Sequence, residues 1–503
     1  MTILSADQIR QWDAYTIANE PIPSIDLMER ASLKFTEWFT NKFTAQQPVH
    51  IFCGTGNNGG DGLAIGRLLL EQKYDVRLYA VRFSDKQSPD FNTNEKRLKK
   101  LKEIKNINNK EDFPVLHSQD LVIDAIFGSG LSRPITGFTG QLIDHINSSN
   151  ATIISVDIAS GLFCNTQSTS VHIIKPDHTV SFQTPKLSFM LPQNEVFTGN
   201  FTVVDIGLSP AFIRQTSTPY IYTDSSFINS IIKKRSKFSH KGTYGHTLLI
   251  GGSKGKVGAI QLCAKAALRT GLGLLTTYVP YCGFNIMQTT VPEAMCMTDP
   301  EFDLLSKAPV PLDKYQSVGI GPGIGTFMDT QQMMEDILEN YDKPMVLDAD
   351  ALNILSQNKE LLDQLPEGSI LTPHPKEFER LLGDQTFEDD YERLELQIMF
   401  AKRYQVVVVL KGAHTSVATP LGRVYFNSTG NPGMATGGSG DVLTGVITAL
   451  LSQGYAPGEA AILGVYLHGL AGDLAASEYG QEALIASDII NNIGKAYQHQ
   501  HNS

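Results

Sequence analysis

Asn431-Pro432-Gly433-Met434-Ala435-Thr436-Gly437-Gly438-Ser439-Gly440-Asp441 is the stretch that decides the fold. The residues after it, Val442, Leu443, Val446, Ile447, Leu450 and Leu451, recur at helical spacing. Gly437, Gly438 and Gly440 let backbone N–H groups gather into an anion-binding concavity at the start of that helix, whose positive end adds to the attraction. Asp441 then stands at a helix mouth. As a plain helix-end charge it would contribute about 0.3 to 1 kcal/mol. Beside a bound phosphate, however, a carboxylate repels the ligand, and a base that deprotonates an attacking hydroxyl explains it better.

Outward from this motif, short apolar runs alternate with helix-length stretches, the pattern of α/β units with parallel sheets. In the second half, strands are expected at His246 to Ile250, Val318 to Ile320, Met345 to Leu347 and Val406 to Leu410, and a helix from Gly258 to Thr270 that Gly271 terminates. Lys411-Gly412-Ala413-His414-Thr415 places a cation and small residues at one strand end, where a nucleotide phosphate fits. The run from Gly319 to Gly325 ends another. Thr372-Pro-His374-Pro-Lys376-Glu377 ends a third, with His374 fixed between two prolines, either orienting a ligand or satisfied within the loop. Asp348 and Asp350 end a fourth, for Mg²⁺ through water or for turn capping.

The first half repeats the architecture with unrelated motifs. Strands are expected at Val49 to Cys53, Val76 to Val81, Leu121 to Asp124 and Ile153 to Asp157, and ligands in such sheets sit at the carboxyl ends. The glycine-rich run from Cys53 to Gly62 precedes a helix from Leu63 to Leu70 and reads either as a phosphate cradle, whose glycines let backbone N–H groups approach the anion, or as a structural turn. A second glycine turn follows Asp124, with Arg133 behind it as a phosphate partner or a surface ion pair. A third strand ends in Asp157 and Ser160. Asn58, Asp124, Asp157 and Ser160 thus face one crevice, an oxygen-only set suited to an alkali ion or Mg²⁺ rather than zinc.

The chain has 503 residues, beyond the size at which single cores divide, and 42% of them are hydrophobic. Residues 209 to 225 lose periodicity and carry two prolines, which reads as a linker with a seam near Thr223, separating 1–222 from 223–503. Net charge is −11, so nucleic acid is an unfavoured partner. The lysine-rich stretch 92–112 reads as a solvated helix face. Five scattered cysteines support neither a disulfide framework nor a zinc site. No early apolar segment and no run of about 18 apolar residues stands out. A reducing cytoplasm, small-molecule substrates and no membrane are the expected setting, with a homo-oligomer as the expected state.

GNNGGDG at 56–62, DAIFGSGL at 124–131 with Arg133-Pro134, VDI and SGL around Ala159, Phe182-Gln-Thr-Pro-Lys186 and Asp205-Ile-Gly207 resemble the YjeF N-terminal family, the NAD(P)HX epimerases, over nearly all of residues 1–210. The resemblance implies a Rossmann-like fold that interconverts the R and S hydrates of NADH and NADPH. It implies that Asn57, Asn58, Gly59, Gly60 and Asp61 bind the hydrated dinucleotide with Gly128, Ser129, Gly130, Leu131, Ser132, Arg133 and Pro134. Asp157 would touch the altered ring, and Asn58, Asp124 and Ser160 would hold K⁺. Ala159 stands where the family usually has Pro. Epimerisation at a hydroxyl-bearing carbon beside a ring nitrogen needs acid–base help, for which Asp157 is the candidate. An alternative is an RNA-associated or nucleotide-binding scaffold, as similar domains serve in mRNA decapping.

The second-half motifs, with His240-Lys-Gly-Thr-Tyr-Gly245, Gly251-Gly-Ser253 and Gly258-Ala259, resemble the ADP-dependent NAD(P)HX dehydratases of the ribokinase-like superfamily over residues 230–500. That implies ADP held by Lys411 to Thr415 and by Asn431, Pro432, Gly433, Met434, Ala435, Thr436, Gly437, Gly438, Ser439 and Gly440. Ala259, Gly325, His374 and Asp441 would face the hydrated nicotinamide, with Asp441 as the base and Mg²⁺ sharing the anionic load. Departures are Lys376, where Gly is usual, and Lys256-Val257, where an aromatic often precedes the Gly-Ala pair. The rivals are a kinase of a small alcohol or vitamin precursor and a non-catalytic nucleotide sensor.

Overall fold

β1 (Val49–Cys53) is buried along its whole length, and both of its neighbours run parallel to it. In the computed structural model, which describes residues 1–502, it is an interior strand of the first of two units, Met1–Thr218 with Asp389–Tyr391. The others are β2 (Val76–Val81), β3 (Ile104–Ile107), β4 (Leu121–Ala125), β5 (Thr152–Val156), β6 (His178–Phe182) and β7 (Asn200–Val204), in the order β3-β2-β1-β4-β5-β6-β7. Every pairing is parallel; Ile51 lies opposite Leu78 on one side and Ile123 on the other. The order reverses between β1 and β4, so the crevice at their carboxyl ends is the expected ligand site. Helices cover both faces, and Phe35, Phe39, Ile51, Leu63, Ile123 and Val180 belong to one core cluster. This is the Rossmann-like arrangement expected of the first half.

The second unit begins at Pro219. Its strands are β8 (Tyr220–Thr223), β9 (His246–Ile250), β10 (Leu274–Val279), β11 (Met295–Thr298), β12 (Ser317–Ile320), β13 (Met345–Leu347), β14 (Ile370–Leu371), β15 (Val407–Leu410), β16 (Ser416–Ala418) and β17 (Val424–Asn427). They form one sheet in the order β11-β10-β9-β12-β13-β14-β15-β16-β17-β8. Pairing is parallel from β11 to β15, antiparallel through β16 and β17, and parallel again onto β8. The helix Ser439–Ser452 lies so close to the helix Val257–Arg269 that a Cβ on Gly445 would come within 2.1 Å of the Cys263 carbonyl oxygen.

Four sequence expectations need correcting. The supposed linker holds a helical turn, Pro210–Ile213, and β8, whose apolar residues pair with β17. The lysine-rich stretch is helical only to Leu98; Ile104 and Ile107, both buried, then turn it into edge strand β3. The helix Pro457–Tyr479 is long and apolar enough to cross a membrane by length and composition, and most of it is buried inside the second unit. The first glycine motif is no turn ahead of a helix at Leu63: the helix starts at Asn57, behind Gly56, and runs to Glu71.

Candidate active sites

That helix start shows what the glycines do. A Cβ on Gly59 would lie 1.7 Å from the Gly54 carbonyl oxygen, and one on Gly62 would lie 2.6 Å from the Ala125 Cβ. Two of the motif's glycines therefore let the helix press onto the ends of β1 and β4, the reverse of the phosphate-cradle reading for those positions. Gly56 alone faces open space.

The crevice of the first unit is a cavity of about 1100 Å³. Asn57, Asn58, Asp61, Gly128 to Arg133 and Asp157 line it, so the structure gathers most of the expected substrate residues into one place. Gly59, Gly60 and Pro134 are not among its walls. Arg133 is exposed and, among the described residues, forms no ion pair.

Asp124, fully buried at the end of β4, accepts hydrogen bonds from Ser160 Oγ at 2.5 Å, Ser155 Oγ at 2.9 Å, Ser160 N at 2.9 Å and Ile126 N at 3.3 Å. Burial pushes its pKa up against those bonds. Among the described residues no basic side chain pairs with it. Asn58 is also buried, beside Gly128, and its Nδ2 has no hydrogen-bond partner among the described residues. An uncompensated carboxylate, a hydroxyl and an amide oxygen make a donor set that fits a monovalent cation.

Asp157 takes a left-handed φ of 67° just past β5, which a short polar side chain tolerates. Its Oδ1 lies 2.8 Å from Lys186 Nζ, an ammonium with no exposed surface, and accepts a bond from Phe182 N at 3.2 Å. Lys186 is held in turn by the Thr184 carbonyl at 3.1 Å. Sequence reasoning quoted Lys186 within a motif and gave it no role. It also missed Asp13, on the helix Ala6–Asn19, which lines the same cavity. Burial, then the charge of Asp157, push Asp13 up to about 7, with Lys186 opposing. Burial, then Asp157, Asp13 and Asp90, hold Asp61 well above the usual carboxylate range.

In the second unit the loop before the helix Ser439–Ser452 ends with Gly438 at φ 89°, a left-handed turn that a Cβ would disfavour. Asp441 sits in the first turn, and among the described residues nothing donates a hydrogen bond to it. Burial, then Asp348, push it up to about 6, with Lys411 opposing. Lys411, at the end of β15, lies 2.9 Å from Asp348 Oδ1 and 3.9 Å from Glu377 Oε2. Burial works against its charge, but Asp348, Glu377 and Asp441 outweigh it and hold its pKa above the ordinary lysine value. Asp348 Oδ2 accepts from Thr444 Oγ1 at 2.6 Å, which ties β13 to the Asp441 helix. Ala349 takes φ 49°, a strained conformation for a non-glycine residue, and separates Asp348 from Asp350, which accepts from Gly325 N at 2.9 Å. A Cβ on Gly323 would lie 3.5 Å from that of Ala259, so Ala259 and Gly325 flank one loop.

Several predicted nucleotide residues serve the scaffold. His374 caps the helix Pro375–Leu382 in a reciprocal pair with Glu377, and its Nε2 lies 3.4 Å from Glu377 Oε1. His414 Nδ1 is 3.0 Å from the Asn427 carbonyl oxygen. Asn431 donates to Asp473 at 2.9 Å and accepts from Gly433 N at 3.1 Å, so its side chain shapes its own loop. Asp473 and His468, both on the helix Pro457–Tyr479, brace that loop from beneath, and burial pushes His468 down to about 4, leaving it neutral. Neither was legible in sequence, because each lies in an apolar helix with no motif.

Two α/β units, each presenting carboxylates at the carboxyl ends of parallel strands and one adding a glycine loop and lysine suited to phosphate, define a two-site nucleotide-processing enzyme. Family models match both: YjeF-related protein N-terminus over residues 24–188 and NAD(P)H-hydrate dehydratase over residues 247–495. A bifunctional NAD(P)H-hydrate repair enzyme Nnr from Moorella thermoacetica is 38% identical, covering 98% of this chain and 96% of the relative. The Escherichia coli protein of the same name is 34% identical, over 98% and 93%. A Bacillus subtilis ADP/ATP-dependent NAD(P)H-hydrate dehydratase, crystallised with ATP and Mg²⁺, is 30% identical with a TM-score of 0.48, covering 56% of this chain and 98% of its own. The chain belongs to the family of bifunctional NAD(P)H-hydrate repair enzymes.

Proposed function

We propose that the first unit interconverts the R and S hydrates of NADH and NADPH, and that the second dehydrates the S form at the expense of ADP. The observation that carries the dehydratase reading is Asp441: a carboxylate in the first turn of its helix that accepts no hydrogen bond among the described residues and feels the charges of Asp348, Lys411 and Asp350. Asp441 takes the proton of the ring hydroxyl as that oxygen attacks the β-phosphate of ADP, and AMP leaves. Phosphate is then expelled by the ring nitrogen's electron pair, and loss of a proton from the neighbouring carbon gives NAD(P)H. Lys411 and the backbone N–H groups at the helix start hold the phosphates, so that catalysis is mainly positioning and charge neutralisation.

Among the described residues no three His, Cys, Asp or Glu side chains group to hold a metal. Asp348 and Asp350 would reach a nucleotide-borne Mg²⁺ through water, and the ion would share the phosphate charge. In the first unit Asn58, Asp124 and Ser160 would hold K⁺, which would compensate the buried carboxylate of Asp124. Asp157, oriented by its 2.8 Å contact with Lys186 Nζ, acts on the hydroxyl of the hydrate. The fusion suits the chemistry, because one epimer is consumed and the other must be converted to reach the same sink.

The test offers mixed NADH hydrate epimers with ADP and follows the reduced nicotinamide absorbance and AMP. Full recovery with stoichiometric AMP is expected. A stable phosphorylated product would favour the small-molecule kinase, and no recovery with either ADP or ATP would sink the dehydratase reading.

A further inference from the structure

We propose that Asp13 is the second acid–base residue of the epimerase site, working with Asp157 on the hydrated ring. This rests on the reading of the cavity as the hydrate site. The helix Ala6–Asn19 is anchored by a Ser5–Gln8 capping box and by Trp12 Nε1 donating to the Ser209 carbonyl at 2.8 Å. Thr16 Oγ1 accepts from Ser209 N at 3.0 Å. With Trp12 and Thr16 fixed in the core, Ile9, Asp13 and Ile17 recur every fourth residue along the side that lines the cavity. A carboxylate on that apolar stripe has no structural duty: among the described residues Asp13 has no ion-pair partner and accepts no hydrogen bond.

The cavity's other charged walls are Arg10, Asp61, Lys86, Asp90, Arg133 and Asp157. Lys186 neutralises only Asp157 by direct contact, at 2.8 Å. Carboxyl groups sharing one cavity and one buried ammonium separate into an ionised base and a protonated acid. Asp157 is the base, and Asp13, pushed up to about 7 by burial and by Asp157, is protonated at and below neutrality.

The step balances. Asp157 takes the hydroxyl proton as the bond between the hydroxyl-bearing carbon and the ring nitrogen breaks, its electron pair going to nitrogen. Asp13 gives its proton to that nitrogen, leaving an aldehyde and a ring-opened vinylogous amide. Rotation beside the aldehyde carbon presents its other face. The nitrogen re-attacks, its proton returns to Asp13, and the oxygen regains the proton held by Asp157.

The experiment uses the full chain without ADP, so that the dehydratase is idle. Interconversion of purified R hydrate of NADH is followed by chromatography across about pH 6 to 8, with the uncatalysed rate subtracted. The wild type should lose rate as pH rises through about 7, because Asp13 must carry a proton. Asp13→Asn should be slower by about 100-fold or more and lose that falling limb, while Asp13→Glu keeps a limb and part of the rate. The proposal is overturned by Asp13→Asn epimerising within about threefold of wild type, or by its keeping the same limb. A flat wild-type profile overturns it even where Asp13→Asn does not fold. A wild type with no interconversion at any pH overturns the reading of the cavity together with the proposal.

Discussion

Lys411 Nζ lies 2.9 Å from Asp348 Oδ1, and the other oxygen of the same carboxylate accepts the Thr444 hydroxyl at 2.6 Å. One buried carboxylate thus couples the lysine at the end of β15 to the helix that carries Asp441. Asp348 is a positioning residue whose charge Asp441 also feels.

Asp441 must be ionised to take a proton. It is pushed up to about 6, so dehydration of S hydrate at saturating ADP should rise with pH through about 6 and then level off. Asp441→Asn should lower the rate by about 10³-fold or more, as expected for removal of a general base. Near-normal turnover by that variant would refute the role.

Asp348→Asn keeps an acceptor for Thr444 but removes a negative neighbour of Asp441. The rising limb of the pH–rate profile should move to lower pH than in the wild type. The partly buried ammonium of Lys411 loses its main partner, and stability should fall by about 1 to 3 kcal/mol in denaturant titration. An unmoved limb would show that Asp348 does not set the base.

Asp124→Asn leaves Ser160 and Asn58 in place but takes the charge from the proposed cation site. Recovery of a mixed hydrate sample should split into an unchanged fast phase for S and a slow phase for R. Replacing K⁺ with a larger or smaller alkali ion should slow the wild type's R phase and leave the variant's untouched. Single-phase recovery at the wild-type rate would count against a coupled epimerase, once spontaneous epimerisation is shown to be slower.

Gly59→Ala improves helix propensity by up to about 1 kcal/mol. Its methyl group would nonetheless lie 1.7 Å from the Gly54 carbonyl oxygen, a backbone atom with nowhere to move. The variant should lose stability at or beyond the usual overpacking range of about 1 to 3 kcal/mol and lose epimerase activity, read by thermal melting and by the R phase. A wild-type melting temperature would contradict the packing role.

The strands were legible because parallel, doubly covered strands are continuous apolar runs: Val49–Cys53, His246–Ile250 and Met345–Leu347 fall where the sequence places them. Glycine and proline marked the turns that follow. The helix beginning at Asn57 was misjudged because glycines that permit close packing look the same in sequence as glycines that bind phosphate. The edge strand β3 was hidden in a lysine-rich stretch, since an edge strand needs only its inward residues to be apolar.

The sequence by itself determined two α/β units, the strand ends that bear chemistry, and the family through its motifs. These are encoded locally, in periodicity and turn residues. Tertiary structure alone decided that Asp13 and Lys186 join Asp157, that Asp348 holds Lys411 and Thr444, and that His468 and Asp473 support the glycine-rich loop ahead of the helix Ser439–Ser452. Those partners lie far apart along the chain, and only strand order and helix packing bring them together. Their protonation follows from the same convergence, because burial and a neighbouring charge, not residue type, move Asp13 to about 7 and Asp441 to about 6.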